Sequence, residues 1–289
     1  MKISVIITNW NGIHVLKKHL ENTIIASPEA TEIILIDDAS TDNSVIYAKK
    51  IQKKYPKLKI ICRKNHQGFG KNSNLAVKKA IGDLVVLLNN DLVPNKGYIT
   101  ATLNHFNDPS VFGVGFSELG KENYGKIFWK NGYIQTEPGH SDKTHTTAWL
   151  SGGSSIIRRD LFLKLGGFDD IYDPFYFEDT DLGLRAWRSG YKLLWEPKSV
   201  VDHQHEYSTS KMGKNFLIYV KERNHLICTL RNFTDKKFKY ENIFWQILRI
   251  LTGPNYIKII LAAKRQLKSH PPQISESKLT DIQILSMFK

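Results

Sequence analysis

Two short polar stretches contain the residues whose types and spacing are best suited to chemistry. The first, Asn89-Asn90-Asp91, directly follows an apolar run of Val and Leu residues at 84–88. Its carboxylate and amide oxygens are hard donors of the kind that Mg²⁺ and Mn²⁺ prefer. The second, Glu178-Asp179, stands at the predicted start of a helix. The helix dipole there stabilises an ionised carboxylate, which can accept a proton from a hydroxyl group.

Each stretch also has a purely structural interpretation. A strand that ends in Asn and Asp commonly just begins a turn. In the second stretch, Asp179 could cap the helix, while Asp181 could pair with Arg185 one turn later. We adopt the structural interpretation for Asp181 and predict a chemical role for Asp179.

The elements that would position these residues alternate regularly along the first half of the chain. Apolar patterns predict strands at 3–8, 32–36, 58–62, 84–88 and 111–116, and amphipathic patterns predict helices at 13–24, 42–55, 71–81 and 95–106. This alternation predicts an α/β fold with a doubly wound, mainly parallel sheet. Such sheets bind ligands at the carboxyl ends of their strands, where Asn89-Asn90-Asp91 lies. From 117 to 147 the alternation lapses, which indicates hairpins or a mobile flap rather than a separate domain.

Polar loops after the first three predicted strands are candidates for a nucleotide site. Trp10 could flank a base, Asp38 could accept hydrogen bonds from a base or a ribose, and Lys71 could offset phosphate charge. The simpler alternative is that these loops supply helix caps and that Gly68 serves a turn. Neither a G-x-G-x-x-G motif that opens a helix nor a Walker lysine motif is found, so dinucleotide and P-loop sites lose support.

Composition sets the broad class of the protein. A chain of 289 residues with 41% hydrophobic content can bury a sizeable core. Its two cysteines provide no disulfide framework, which fits a reducing compartment, and no run of 18 apolar residues predicts a membrane span. We therefore expect a cytoplasmic protein, and the cytoplasmic face of the membrane is an alternative location.

The net charge of +13 is concentrated near the end of the chain. Residues 211–289 contain 15 Lys and Arg against 5 Asp and Glu, a net of +10. Amphipathic patterns predict two helices there, at 242–251 and 256–268, separated by Gly253-Pro254. These helices could pack on the rest of the protein, form a homodimer or lie on a membrane. Basic residues interleaved with large apolar ones favour an anionic membrane surface over nucleic acid.

Six motifs in a fixed order resemble the family 2 glycosyltransferases with the GT-A fold, especially the rhamnosyltransferase-like and galactofuranosyltransferase-like members. The motifs are Val5-Ile6-Ile7-Thr8-Asn9-Trp10-Asn11, Ile36-Asp37-Asp38-Ala39-Ser40-Thr41-Asp42, Asn65 with Gly68-Phe69, Leu88-Asn89-Asn90-Asp91, Gly166-Gly167-Phe168-Asp169 and Glu178-Asp179-Thr180-Asp181-Leu182. The resemblance covers about residues 1–230. It implies a catalytic domain at 1–232, with a nucleotide-sugar-binding half at 1–116 and an acceptor-binding half at 117–232. Residues 233–289 would then form a basic, amphipathic helical tail.

The resemblance also implies roles for individual residues. Asp91 matches the last acid of the metal-binding D-x-D motif, although Asn89 replaces its first aspartate. His203 matches a histidine that completes the metal site, and His205 is a rival for that position. Asp179 matches the catalytic base. The donor-binding candidates are Thr8, Trp10, Asp38, Asn65, Gly68, Lys71, Asn90 and Asp91, and the acceptor-binding candidates are Trp149, Gly153 and Glu178.

The activity implied is an inverting, metal-dependent transfer of a sugar from a UDP- or dTDP-linked donor. The acceptor would be a hydroxyl of a glycan or lipid-linked molecule in cell-surface polysaccharide synthesis, with Mg²⁺ or Mn²⁺ as cofactor. The Gln-x-x-Arg-Trp motif of processive synthases is absent, which favours transfer of one or a few sugars. Two alternatives remain open at this point, a nucleotidyltransferase and a catalytically silent protein that binds sugar nucleotides.

Overall fold

The computed structural model describes residues 1–120, 124–203, 213–271 and 277–288. The strands found there are β1 (Ile3–Asn9), β2 (Glu32–Asp37), β3 (Leu58–Cys62), β4 (Leu84–Asn89), β5 (Leu92–Pro94), β6 (Val111–Glu118), β7 (Tyr124–Lys130), β8 (Tyr133–Gly139), β9 (His145–Thr146), β10 (Ser154–Arg158) and β11 (Lys192–His203). The helices are α1 (Ile13–Ala26), α2 (Ser44–Lys54), α3 (Phe69–Lys79), α4 (Thr100–Leu103), α5 (Arg159–Lys164), α6 (Glu178–Arg188), α7 (Lys214–Asn232), α8 (Lys236–Thr252), α9 (Tyr256–Ser269) and α10 (Asp281–Ser286).

A mixed, mostly parallel sheet forms the centre of the protein, in the order β3-β2-β1-β4-β10-β6-β11-β5, with β9 beside β11. β10 is antiparallel to both β4 and β6, so β1, β2, β3, β4, β6 and β11 all run in one direction. Successive residues of β1 enter different cores, because Val5 packs on one face of the sheet and Ile6 on the other. Helices therefore cover both faces, and the predicted α/β fold is confirmed.

The chain after Asp91 differs from its predicted form. We expected one helix at 95–106, but the only α-helix there is the four-residue α4, and Gly97 has a positive φ of 82°. Ahead of this turn, β5 pairs with the end of β11, aligning Leu92 with His203. This pairing joins segments that are distant in sequence, so no local pattern indicates it.

The region at 117–147 contains the expected hairpin. β7 and β8 pair in antiparallel register across Asn131 and Gly132, whose φ angles are 55° and 77°. Positive φ at both central residues is characteristic of the two-residue turn that joins twisted strands. Gly132 lies against α8, where an added Cβ would come within 2.9 Å of Trp245. The hairpin is thus held by the helices that follow the sheet.

The predicted tail packs on the body of the protein. Phe238 of α8, Ile260 of α9 and Ile284 of α10 are buried in the same core as Ile6 of β1. Asp281 also pairs with Arg188 of α6 and accepts the backbone N–H of Thr234 at 2.7 Å. Packing on the body, one of the three expected possibilities, is therefore observed, and the boundary between 232 and 233 stays a prediction. In the part of the chain described, no helix is long and apolar enough to cross a bilayer.

Candidate active site

One edge of the sheet gathers most of the predicted site residues. Because β1, β2, β4, β6 and β11 run in the same direction, their carboxyl ends meet there. The antiparallel β10 begins at the same edge, and its Ser154 aligns with Leu88 of β4. Residues that follow β4, end β11 and precede β10 consequently become neighbours.

Asp91, His203 and Glu118 form a cluster at this edge. The Nε2 atom of His203 lies 3.4 Å from Oδ2 of Asp91, and its Nδ1 lies 3.0 Å from Oε2 of Glu118. Burial alone would lower the pKa of His203, but hydrogen bonds and charge from Asp91 and Glu118 raise that pKa to about 9. Sequence reasoning missed Glu118, because it stands at the end of an ordinary apolar strand without any motif around it.

Asp91 and His203 have the donor atoms that a divalent cation requires. The carboxylate oxygen of Asp91 and the imidazole nitrogen of His203 lie 3.4 Å apart and would suit Mn²⁺ or Mg²⁺ as ligands. Over the described ranges, no group of three or more His, Cys, Asp or Glu side chains is arranged to hold a metal. Asp91 and His203 therefore offer two candidate ligands for a cation. His205, the rival to His203, lies outside the described residues.

Asn89 takes no part in this pair. Its backbone N–H donates to the carbonyl of Gly153 at 3.0 Å, and its side chain occupies the space beside that glycine. A Cβ added to Gly153 would lie 2.3 Å from Cγ of Asn89, so the glycine is needed for this close approach. Asn90 instead donates to Asn9 at 2.8 Å, and Asn9 donates in turn to Asp37 at 2.8 Å. These bonds join the ends of β4, β1 and β2.

The predicted nucleotide residues lie beside this network. Thr8 is aligned with Asn89, and the half-exposed Trp10 packs against the ring of His66 with centroids 4.3 Å apart. Asp38 accepts the backbone N–H groups of Gln67 and Gly68 at 2.8 and 2.9 Å and lies 2.8 Å from Nδ1 of His66. The carboxylate of Asp38 thus fixes the loop after β3. His66 was not predicted, although its position beside Asn65 could have suggested it.

Lys71 and Asn65 are the other two predicted donor-binding residues on this side, and among the described residues Lys71 contacts acidic side chains rather than the nucleotide candidates. Lys71 pairs with Asp173 at 2.5 Å and lies 3.9 Å from Asp170, so two carboxylates already offset its charge. Asn65 is exposed on the loop ahead of α3. Lys71 therefore links α3 to the segment that leads into Glu178-Asp179.

Glu178 and Asp179 occupy the first turn of α6 in different environments. Asp179 accepts the backbone N–H of Thr180 at 2.7 Å and its hydroxyl at 3.3 Å. Burial raises the pKa of Asp179, and these bonds together with one from the backbone of Gly152 oppose that rise. Burial and the charge of Asp179 raise the pKa of Glu178 to about 8, and its Oε2 has no hydrogen-bond partner among the described residues. Asp179 is thus better supported as the ionised member of the pair.

The remaining acid of this motif has the predicted structural role. Asp181 and Arg185 are both buried and form an ion pair at 2.7 Å across one turn of α6. Tyr172 and Asn232 donate to the other oxygen of Asp181 at 2.9 and 2.8 Å. This network holds α6 against α7 and leaves Asp181 unable to serve as a base.

A cavity of about 250 Å³ reaches Glu118, the residue that pairs with His203. Among its lining residues are Glu118, Tyr124, Trp149, Ser151, Ser154 and Trp195. Trp149, one of the predicted acceptor residues, therefore faces this space, whereas Gly153 packs against Asn89 and Glu178 lies in α6. Aromatic rings with hydroxyl and carboxylate groups between them are suited to contact a polar ring such as a sugar.

Comparison with known sequences gives one family and several relatives. The family model described as glycosyl transferase family 2 matches residues 4–166. Over 243 residues the chain is 24% identical to the N-acetylglucosaminyl-diphospho-decaprenol L-rhamnosyltransferase of Mycobacterium tuberculosis, covering 72% of this chain and 77% of that enzyme. Over 190 residues it is 27% identical to the O-antigen chain rhamnosyltransferase WbaN of Salmonella anatum, covering 62% of this chain and 58% of that protein.

Solved structures agree on the fold. GalNAc-T7 with UDP, GalNAc and Mn²⁺ gives a TM-score of 0.69 at 16% identity, covering 95% of this chain and 55% of that chain. The S. aureus TarS fragment 1–349 with UDP-GlcNAc gives a TM-score of 0.59 at 16% identity, covering 92% of this chain and 78% of that one. At these identities the likeness shows a shared GT-A-like fold, with mostly parallel sheet and flanking helices.

Proposed function

Because this chain belongs to glycosyl transferase family 2 and is a glycosyltransferase, we propose that it transfers a sugar, with inversion, from a nucleotide-diphosphate donor to a hydroxyl group. The observation that carries the proposal is that a candidate metal-binding pair and a candidate general base lie at the same edge of the sheet. Asp91 and His203 face each other at 3.4 Å, and Gly153, which packs against Asn89, is next to the Gly152 that bonds Asp179. Family membership removes the support for a nucleotidyltransferase.

Asp179 is the proposed general base. Its carboxylate accepts the proton of the acceptor hydroxyl as that oxygen attacks the anomeric carbon, and the bond to the diphosphate breaks on the opposite face. Three donors, the N–H and hydroxyl of Thr180 and the N–H of Gly152, stabilise its ionised form. Glu178 stays protonated near neutral pH, since its pKa is raised to about 8, and so does not compete for the proton.

Asp91 and His203 are the proposed protein ligands of Mg²⁺ or Mn²⁺. When bound there, a divalent cation neutralises charge on the departing diphosphate. Glu118 accepts from Nδ1 of His203 at 3.0 Å and thereby orients Nε2 toward Asp91. Support for metal dependence comes from the structures of GalNAc-T7 with UDP and Mn²⁺ and of a Pyrobaculum calidifontis mannosyltransferase with GDP-Man and Mn²⁺.

The proposed donor is a UDP- or dTDP-linked sugar, and the proposed acceptor is a glycan or lipid-linked molecule of cell-surface polysaccharide synthesis. Both rhamnosyltransferase relatives and the UDP-bound structural neighbours support this choice. The donor would lie along Thr8, Trp10, Asp38 and Asn90, and the acceptor would enter past Trp149. Residues 1–116 and 117–232 remain the proposed donor and acceptor halves.

A donor screen tests the proposal. Calorimetry with Mn²⁺ and UDP-, dTDP- and GDP-sugars would identify the nucleotide that binds, and release of nucleoside diphosphate would report turnover. We expect binding and slow hydrolysis for one nucleotide class, both lost in EDTA. Binding without turnover in any acceptor mixture would indicate the catalytically silent alternative, and no binding to any sugar nucleotide would refute the proposal.

A further inference from the structure

Helix α8 is packed with its polar side toward the protein. Asn242 is buried and donates to the carbonyl of Gly132 at 2.7 Å, and the buried Gln246 donates to Asn242. One turn later, Arg249 lies over the ring of Tyr133 at 4.3 Å and pairs with Glu222 at 3.2 Å. These contacts satisfy a polar stripe against the hairpin and α7, while Phe238 is buried and Trp245 and Ile250 are partly buried against the same core.

The opposite side of α8 is apolar and faces solvent. Five of its residues recur at the spacing of a single helical face and are 53–73% exposed. We call them the outer stripe: Tyr240, Ile243, Phe244, Ile247 and Leu251. On α9, Ile257 and Leu261 are 41% and 60% exposed, while Ile260 and Ala263 face the core. Exposed apolar residues arranged in a stripe mark a surface that binds a partner or a membrane.

The charge around the outer stripe indicates which of these partners fits. Helices α8 and α9 together contain eight Lys and Arg residues and one acidic residue, Glu241. The basic side chains that are exposed are Lys236, Lys237, Lys239, Lys258, Lys264, Arg265 and Lys268. A second copy of the chain would bring like charges together across a shared interface, which disfavours association. An anionic bilayer matches both the apolar stripe and the basic residues beside it.

We propose that the outer stripe of α8, with Ile257 and Leu261 of α9, docks on the surface of an anionic membrane. The apolar side chains would enter the headgroup region, and the lysines would remain at the level of the phosphates. Docking is independent of the donor and of the reaction. If the acceptor is held in the membrane, docking would bring the active site to it, and this step rests on the proposed function.

Co-sedimentation of the full chain with vesicles tests the docking. Phosphatidylcholine vesicles with and without phosphatidylglycerol would be compared across a salt series, because electrostatic attraction to lipid is screened by salt. We expect preferential binding to the anionic vesicles that weakens as salt rises. Point substitutions are preferable to truncation, since Ile260 and Ile284 of the tail are part of the core.

The decisive variant is the triple substitution Ile243→Ser, Phe244→Ser and Ile247→Ser, which alters only exposed side chains. We expect a fall in the vesicle partition coefficient of at least about tenfold, with unchanged thermal midpoint and donor hydrolysis. Ile46→Ser on α2, where Ile46 is 69% exposed, is the matched control and should bind as wild type. A second variant, Lys264→Glu with Lys268→Glu, should lose anionic binding without touching any apolar residue.

Three results would overturn the docking proposal. They are equal binding to neutral and anionic vesicles, unchanged binding of both variants, and a wild-type dimer in sedimentation velocity that the triple variant loses. The last result would assign the outer stripe to a second copy of the chain. Donor hydrolysis is measured without vesicles, so a failure of docking leaves the proposed glycosyl transfer intact. Conversely, the absence of donor hydrolysis in the wild-type protein would count against glycosyl transfer and not against docking.

Discussion

Replacing Asp179 by asparagine is the most direct test of the proposed base. Asparagine has nearly the same shape, and its carbonyl oxygen can still accept the backbone N–H of Thr180, now 2.7 Å from the carboxylate. Helix α6 should therefore start as before, and the ion pair of Asp181 with Arg185 should persist. What the amide cannot do is take the proton of the acceptor hydroxyl.

The expected loss is on the order of 10²- to 10⁴-fold in kcat, the usual contribution of a general base. At about 1.4 kcal/mol for each factor of ten, this corresponds to about 3 to 5 kcal/mol of transition-state stabilisation. Donor affinity should change little, since Asp179 accepts from Thr180 and Gly152 and has no bond to the nucleotide candidates Thr8, Trp10 or Asp38.

Calorimetry with the sugar nucleotide identified by the donor screen would measure affinity, and release of nucleoside diphosphate would measure turnover. Glu178→Gln is the matched control, because it alters the adjacent carboxyl group, which is protonated near neutral pH when its pKa is about 8. If Asp179→Asn keeps turnover within about threefold of wild type while Glu178→Gln abolishes it, the base is Glu178 and the reasoning from local hydrogen bonds is wrong.

Three further predictions concern the metal pair, its positioning residue and the buried glutamate. Asp91→Ala and His203→Ala should each raise the Mn²⁺ concentration at half-maximal activity about 10- to 100-fold, and full activity in EDTA would contradict this. Glu118→Gln should raise the same midpoint about tenfold with kcat recovered at saturating Mn²⁺, while Glu137→Gln, on the same cavity, should not. Between pH 4.5 and about 8 the folded chain retains a proton on Glu178 that the unfolded chain loses, so wild type loses stability as pH rises through that window. Glu178→Gln should therefore gain thermal stability over wild type from pH 5 to 8, on the order of 1 kcal/mol per pH unit, and a constant difference in melting temperature would refute the assigned pKa.

Much of the sheet could be predicted because its strands are buried on both faces. Leu84 to Leu88 and Ile33 to Ile36 read as continuous apolar runs, and such runs are characteristic of covered parallel strands. Asn90 and Asp91 follow β4 and therefore lie at the edge where the carboxyl ends of the parallel strands bind ligands. In contrast, α4 is shorter than predicted because the positive φ of Gly97 interrupts its predicted start and a 3-10 turn at Asn104–Asn107 replaces its last turn.

The Asp91–His203–Glu118 cluster depends on contacts between distant segments. Only the pairing of β5 with β11 brings His203 beside Asp91, and only the parallel pairing of β6 with β11 brings Glu118 to the same place. Neither pairing has a local signature, since strand register is set by the whole sheet. The resemblance to a family indicated His203, whereas nothing in the sequence indicated Glu118.

Helix α8 shows why periodicity predicted two amphipathic helices but not their orientation. An apolar stripe normally faces the core, because burial of apolar area is the main source of stability. In α8 the hairpin turn presents the carbonyl of Gly132 to the helix, and Asn242 is the side chain that satisfies it. Turning the helix by half a revolution would bury Ile243 and Ile247 but leave that carbonyl and Gln246 without these partners. The local polar contacts thus fix an orientation that exposes the outer stripe, and its basic flanks are the reason for proposing an anionic bilayer as the surface that covers it.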